Sequence, residues 1–191
     1  MSMKIILASA SPRRAQLLQQ IGVKFDIKAV DIDETPLSDE SAEDYVRRLA
    51  IEKAQAARVF YPNSDVLIIG SDTSVVVDGE ILGKPDDKQH AFAMLRKLSG
   101  RTHKVLTAVA MLGQATLSVV NVNQVTFETL SNDDLEWYWA TDEPTGKAGA
   151  YAIQGKAAIF ITRLEGSFSG VMGLPLYETA QLLKQHGLTL K

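Results

Sequence analysis

Val66-Leu67-Ile68-Ile69-Gly70-Ser71-Asp72-Thr73-Ser74-Val75-Val76-Val77 is the stretch on which the reading of the fold turns. Val66 to Ile69 is strongly apolar and reads as a buried strand. Thr73 to Val77, Asp78-Gly79 and Glu80 to Leu82 read as a hairpin about an Asp-Gly turn. Asp72 is chemically out of place, because a carboxylate in so apolar a stretch is costly unless it is paired, hydrogen-bonded or metal-bound. Gly70 just before it permits a bulge or the close approach of a ligand. Two readings of Asp72 stand side by side. One is a turn aspartate capping an ordinary loop; the other is a functional carboxylate that holds a divalent cation or acts as base toward water.

Outward from this stretch, strands and helices mix without strict alternation. Lys4 to Ala8 reads as a short buried strand and Pro12 to about Ile21 as a helix, with Ser11 as cap and Gly22 as its stop. Phe25 to Val30 reads as a second strand, Asp31 to Pro36 as an acidic loop, and Ala42 to Val59 as a long helix capped by Ser41. A helix over Asp86 to Leu98, neighbouring antiparallel strands over Lys104 to Leu112 and Thr116 to Thr129, and a helix opened by Ser131-x-x-Asp134 follow. Ala157 to Leu164 reads as a strand and Leu174 to His186 as a closing helix. The expectation is an α/β fold with a mixed sheet. The length, 191 residues, suits one domain spanning 1–191, or two small lobes sharing that sheet.

Hydrophobic content of 46% and charged content of 23% provide for an ordinary globular core. With a net charge of −3 nothing global attracts nucleic acid or an anionic membrane, so any anionic ligand must meet local positive charge. No basic run or aromatic-basic repeat is present, which argues against nucleic-acid binding. The absence of cysteine excludes disulfides, thiolate metal sites and cysteine nucleophiles, and fits a reducing compartment. The apolar part of Met1 to Ala10 is shorter than a signal-peptide core, and no run approaches the ~20 apolar residues of a membrane span. A cytoplasmic location is expected.

Positive charge collects at particular places. In Ser9-Ala10-Ser11-Pro12-Arg13-Arg14, the backbone N–H groups at a helix N-terminus form a ready phosphate site, although the pattern is not a Walker loop. Arg13 and Arg14 oppose the helix dipole there, a cost that falls if an anion sits at that end; a plain serine cap with two solvated arginines is the other reading. Lys53 falls on or beside the apolar face marked by Val46, Leu49 and Ala50, so it either snorkels or meets an anion. Lys84 lies between Gly83 and Pro85, as a backbone-fixed cation or an exposed loop lysine. Small residues crowd Gly146 to Gly155, where backbone can approach a ligand closely, and Gln154 offers donor and acceptor together, suited to a base edge. His90, His103 and His186 show no metal-ligand spacing and read as surface or helix residues. Gly166-Ser167-Phe168-Ser169-Gly170 centres on phenylalanine and is not a nucleophile elbow.

Together these pieces resemble the Maf family of nucleotide pyrophosphatases. The resemblance rests on Leu7-Ala8-Ser9-Ala10-Ser11-Pro12-Arg13-Arg14, Glu52-Lys53-Ala54, Gly70-Ser71-Asp72-Thr73, Gly83-Lys84-Pro85, Lys147-Ala148-Gly149-Ala150-Tyr151 and Gly173-Leu174-Pro175. It implies an elongated α/β fold of two lobes around a cleft, related to inosine triphosphate pyrophosphatases. A homodimer is implied too, with a divalent cation, Mg²⁺ or Mn²⁺, and water attack at the α-phosphate of a nucleoside triphosphate. By resemblance Asp72 matches the catalytic acidic position. Ser9, Arg13, Arg14, Glu34, Lys53 and Lys84 match positions lining the phosphate and metal site, with Glu34 and Asp72 as metal ligands. Arg13, Thr73 and Gln154 match the residues that mark the dTTP/UTP branch rather than the 7-methyl-GTP branch. Ser71 stands where some members of that branch carry alanine. The resemblance thus implies release of pyrophosphate from dTTP and UTP, with modified pyrimidine nucleotides as a further substrate class.

Overall fold

The computed structural model describes residues 3–62 and 65–190. Among these lie seven strands and six α-helices: β1 Lys4–Leu7, α1 Pro12–Gln20, β2 Asp26–Ile27, α2 Ala42–Arg58, β3 Val66–Val77, β4 Glu80–Leu82, α3 Lys88–Leu98, β5 Thr102–Leu112, β6 Thr116–Phe127, α4 Asn132–Trp139, β7 Ile161–Glu165, α5 Phe168–Met172 and α6 Leu176–Gln185. The strands form one sheet in the order β2-β1-β3-β5-β6-β7, with β4 paired to β3. β1 runs parallel to both β2 and β3, whereas β3–β4 and β6–β7 are antiparallel. The expected mixed α/β sheet is therefore present. No described helix is long and apolar enough to cross a membrane.

The chain divides into two compact units, Met1–Asp72 with Thr107–Asn121 and Gly173–Lys191, and Thr73–Leu106 with Val122–Met172. In the first, Ile6, Val66 and Ile68 from the strands, with Ala8 just past β1, pack on Ala54 and Ala57 of α2. The heptad-like run Val46, Leu49, Ala50, Ala54, Ala57 forms the buried stripe of α2, as its spacing predicts. In the second, Phe127 meets Tyr151 and Tyr138 meets Phe160 edge to face, with centroids 4.9 and 5.5 Å apart, in one buried cluster with Leu95 and Leu98.

Several local expectations are corrected. β2 is two exposed residues rather than six, because it sits at the sheet's edge, where its alternate apolar residues gain little burial. β3 is unbroken from Val66 to Val77, so Asp72 lies within a strand and not in a turn. The stretch expected as a strand from Ala157 begins with a 3₁₀ turn, Lys156–Phe160. Ala157 and Phe160 are its buried residues, and a spacing of three matches a 3₁₀ turn rather than strand alternation. Ser11 begins α1 without a side-chain cap; its own N–H donates to Ser9 Oγ at 3.1 Å. Ser131 and Asp134 form the reciprocal capping box read from the sequence.

His103, expected at the surface or on a helix, lies instead in β5 and is only 2% exposed. Its Nε2 lies 2.8 Å from Tyr151 Oη, and burial lowers its pKa to about 4. The unfolded chain titrates this imidazole near its ordinary value of about 6.5, so folding favours the neutral ring. That contribution is complete above pH 6.5 and is lost as pH falls toward 4, on the order of 3 kcal/mol. Denaturant unfolding measured across this window should show the fall, and His103→Gln should flatten it. An equal slope in the variant would assign the loss to other groups.

Candidate active site

The parallel pairing of β1 with β3 sets Leu7 opposite Ile69, and Ala8 N–H continues the ladder to the Ile69 carbonyl at 2.8 Å. The residues that follow, Ser9 just past β1 and Gly70-Ser71-Asp72 within β3, lie where the parallel pairing of the two strands ends. In open α/β sheets this is where ligands bind.

Successive β3 side chains point to opposite faces, so Gly70 and Asp72 share one face and Ser71 takes the other. α2 covers the Gly70 face. A Cβ at Gly70 would collide with the Ala50 carbonyl oxygen and lie 2.9 Å from Ala54 N. Glycine is therefore required by closeness of the helix, which brings Lys53 over Asp72. Lys53 Nζ lies 2.6 Å from Asp72 Oδ1 and 2.6 Å from Glu34 Oε1. The ammonium thus joins two carboxylates, both lysine and aspartate being largely buried. On the opposite face, Ser71 Oγ donates to the Gly173 carbonyl at 3.1 Å. Arg14 Nε donates to the same carbonyl at 2.9 Å, and its Nη1 to Ser9 Oγ at 3.3 Å.

The loop that carries Glu34 is tied down onto α2. Tyr45 Oη donates to the Glu34 carbonyl at 2.8 Å. Arg48 pairs with both oxygens of Glu40 at 2.6 and 2.7 Å, with Glu52 at 3.1 Å, and with the Thr35 carbonyl at 3.2 Å. Two-pronged arginine–carboxylate pairing fixes orientation as well as charge. Tyr45 and Arg48 escaped the sequence reading, although both lie within one turn on α2, the spacing at which helical residues share a face.

Electrostatics follow from this crowding. Burial holds the Arg14 guanidinium below its usual pKa against the pull of Asp72 and Glu34, with Arg13 pushing the same way as burial. Arg13 is lowered by burial as well. Both remain protonated, so the direction reflects cations drawn partly out of water. Burial, then the Asp72 and Glu34 charges, push the Tyr45 phenol up to about 12. Three cations thus accompany two carboxylates, leaving local positive charge in a chain of net charge −3.

The first unit therefore brings together Ser9, Arg14, Glu34, Lys53 and Asp72, with Arg13 beside Arg14. Thr73, Lys84 and Gln154 belong to the second unit. There Lys84 and Gln154 are exposed and Thr73 is half-buried. Gly149 N–H donates to the Gly83 carbonyl at 3.0 Å, joining the Lys84 turn to the segment that leads to Gln154.

No group of three or more His, Cys, Asp or Glu placed to hold a metal ion occurs among the described residues. Glu34 and Asp72 make a two-carboxylate set that already embraces one cation, the Lys53 ammonium. That set fits Mg²⁺ or Mn²⁺, ions of the kind commonly bound through one or two carboxylates together with substrate phosphates.

Residues 4–186 match the family model described as Maf-like protein. A Methylococcus capsulatus protein named dTTP/UTP pyrophosphatase is 49% identical over 187 residues, covering 97% of this chain and 92% of its own length. An Acinetobacter baylyi protein of the same name is 52% identical over 180 residues, covering 94% of this chain and 97% of its own. Among solved structures, the Staphylococcus aureus Ham1 protein covers 65% of this chain and 71% of its own, with 18% identity and a TM-score of 0.47.

Proposed function

The chain belongs to the Maf-like protein family, and from that premise we propose that it is a nucleoside triphosphate pyrophosphatase acting on dTTP and UTP. The products are the nucleoside monophosphate and pyrophosphate. The relatives' names support the substrate class. The observation that carries the reaction is the Glu34–Lys53–Asp72 chain of contacts beside Arg14, which combines a carboxylate able to take a proton with cations able to hold a polyphosphate.

In this reading Arg13 and Arg14 grip phosphate oxygens, arginine being suited to two-pronged contact, and Lys53 serves as a point charge. The Asp72 carboxylate accepts the proton of the water that attacks the α-phosphorus. Pyrophosphate leaves with its charge held by the cations, so catalysis rests on positioning and electrostatics. A divalent cation, Mg²⁺ or Mn²⁺, would be held by Glu34 and Asp72 and would neutralise phosphate charge. Ser9 lines the phosphate end. In the second unit Thr73 contacts the nucleotide, Lys84 holds phosphate and Gln154 meets the base. The two units work as one pyrophosphatase domain, consistent with β3, β5 and β6 each passing from one to the other. The protein acts in the cytoplasm as a homodimer.

The test is pyrophosphate release from a panel of dTTP, UTP, dCTP, GTP and 7-methyl-GTP, each with Mg²⁺ and with Mn²⁺. Faster release from dTTP and UTP is expected. Nucleotide binding without pyrophosphate would make the protein a binder, and orthophosphate in place of pyrophosphate would move the cleavage away from the α-phosphorus.

A further inference from the structure

One buried polar group in the second unit takes no part in the chemistry above. Tyr138, 0% exposed, sits on the inner face of α4 and turns its hydroxyl to Glu143 Oε1 at 2.8 Å. The same hydroxyl accepts from Ala152 N–H at 3.2 Å. The Glu143 carboxylate also accepts from Lys156 N–H at 2.8 Å and from Ala157 N–H at 3.2 Å. A phenol and a carboxylate thus bind the backbone at both ends of the stretch Ala152–Ala157, and inside it Gly155 N–H donates to the Ala152 carbonyl at 3.0 Å. Ala152, Ile153 and Ala157 are buried, whereas Gln154 stands exposed at the tip.

Gly155 gives a second sign that the carboxylate is built in. Its φ of −106° is open to any residue, so the backbone does not require glycine. A Cβ there would run into the Glu143 carboxylate. The small residue makes room for the acid. Partial burial alone would raise the Glu143 pKa, yet the Lys156 amide, the Tyr138 hydroxyl and the Ala157 amide outweigh it and the net direction is down. The group therefore remains an anion, the strongest acceptor available for two amides and a phenol.

A glutamine amide can match thymine or uracil in one orientation and cytosine when flipped, because its oxygen accepts and its nitrogen donates. Preference among pyrimidines then depends on what holds the amide one way. We infer that Glu143 and Tyr138 are positioning residues for base preference, pinning both ends of the Ala152–Ala157 loop so that Gln154 meets a 4-oxopyrimidine base in a single orientation. The inference rests on the proposed contact between Gln154 and the base.

The experiment measures kcat/KM for dTTP and for dCTP by pyrophosphate release in the full chain, for the wild type, Glu143→Gln, Tyr138→Phe, Gly155→Ala and Gln154→Ala. The first three variants are expected to lower the dTTP-to-dCTP ratio by about fivefold or more, the scale of losing one net hydrogen bond. Amide hydrogen exchange at Lys156 and Ala157 should quicken in Glu143→Gln. General loss of stability would lower both substrates together and leave the ratio in place, which would overturn the inference. Tyr138→Phe removes one hydroxyl only and keeps the test open if Glu143→Gln folds poorly. A ratio moved by Gln154→Ala but not by the Glu143 and Tyr138 variants would sink this inference alone. A ratio untouched by Gln154→Ala would sink the reading of Gln154 as the base contact, and this inference with it.

Discussion

Asp72→Asn should lower pyrophosphate release by about 10²-fold or more, the scale of losing general-base catalysis. Asparagine keeps the size of the side chain and an oxygen that can accept from Lys53 Nζ, now 2.6 Å from Asp72 Oδ1. Lys53 also keeps its contact with Glu34. What disappears is the negative charge and the ability to take a proton from water. Folding should therefore survive, as circular dichroism and an unshifted oligomeric state would show. Near-wild-type release by this variant would remove Asp72 from the catalytic role, and unfolding would make the charge structural.

The second large effect is expected at Lys53. Lys53→Met keeps the aliphatic stem that packs at the edge of the α2 stripe and deletes the ammonium. Glu34 and Asp72 then face each other without the cation between them. Breaking a buried ion pair from one side costs about 3–5 kcal/mol, because the remaining charge is left without compensation. The Asp72 arm should carry most of this. The Glu34 side chain is 40% exposed, so solvent screens its share. Denaturant midpoints should fall accordingly, and Mg²⁺ should restore part of the loss by replacing one cation with another. The double variant Lys53→Met, Asp72→Asn should be more stable than Lys53→Met alone, since the orphaned carboxylate is gone. Turnover should drop together with stability at saturating nucleotide. A midpoint unmoved by Lys53→Met would show that the ion pair contributes nothing to the fold.

Both expectations concern residues whose oddity is visible in the chain. Asp72 interrupts an aliphatic run, and Lys53 shares a helical face with Val46, Leu49 and Ala50. Burial penalises charge strongly enough that such placements demand a partner, and the partner proves to be the other member of the pair. Tyr45, Arg48 and Glu40 could not be recognised this way. Each is ordinary on a helix or in an acidic loop, and their importance arises from holding Glu34 from below. Glu143 is likewise an unremarkable loop acid until Ala152, Lys156 and Ala157 fold around it.

The kinds of element and most of their positions are legible along the chain, because period, caps and Gly or Pro breaks are local properties. So is the family, through short motifs whose joint order is specific, and so is the need for concentrated positive charge in an acidic protein. That β3 continues through Asp72, that β2 shrinks to an edge pair and that His103 is buried follow from the packed fold. So does the service of Gly70 to the close approach of α2. These outcomes depend on which strand and helix lie alongside, and such neighbours are distant in sequence. Burial, pairing and the accounting of backbone hydrogen bonds are settled between them, beyond the reach of any local pattern.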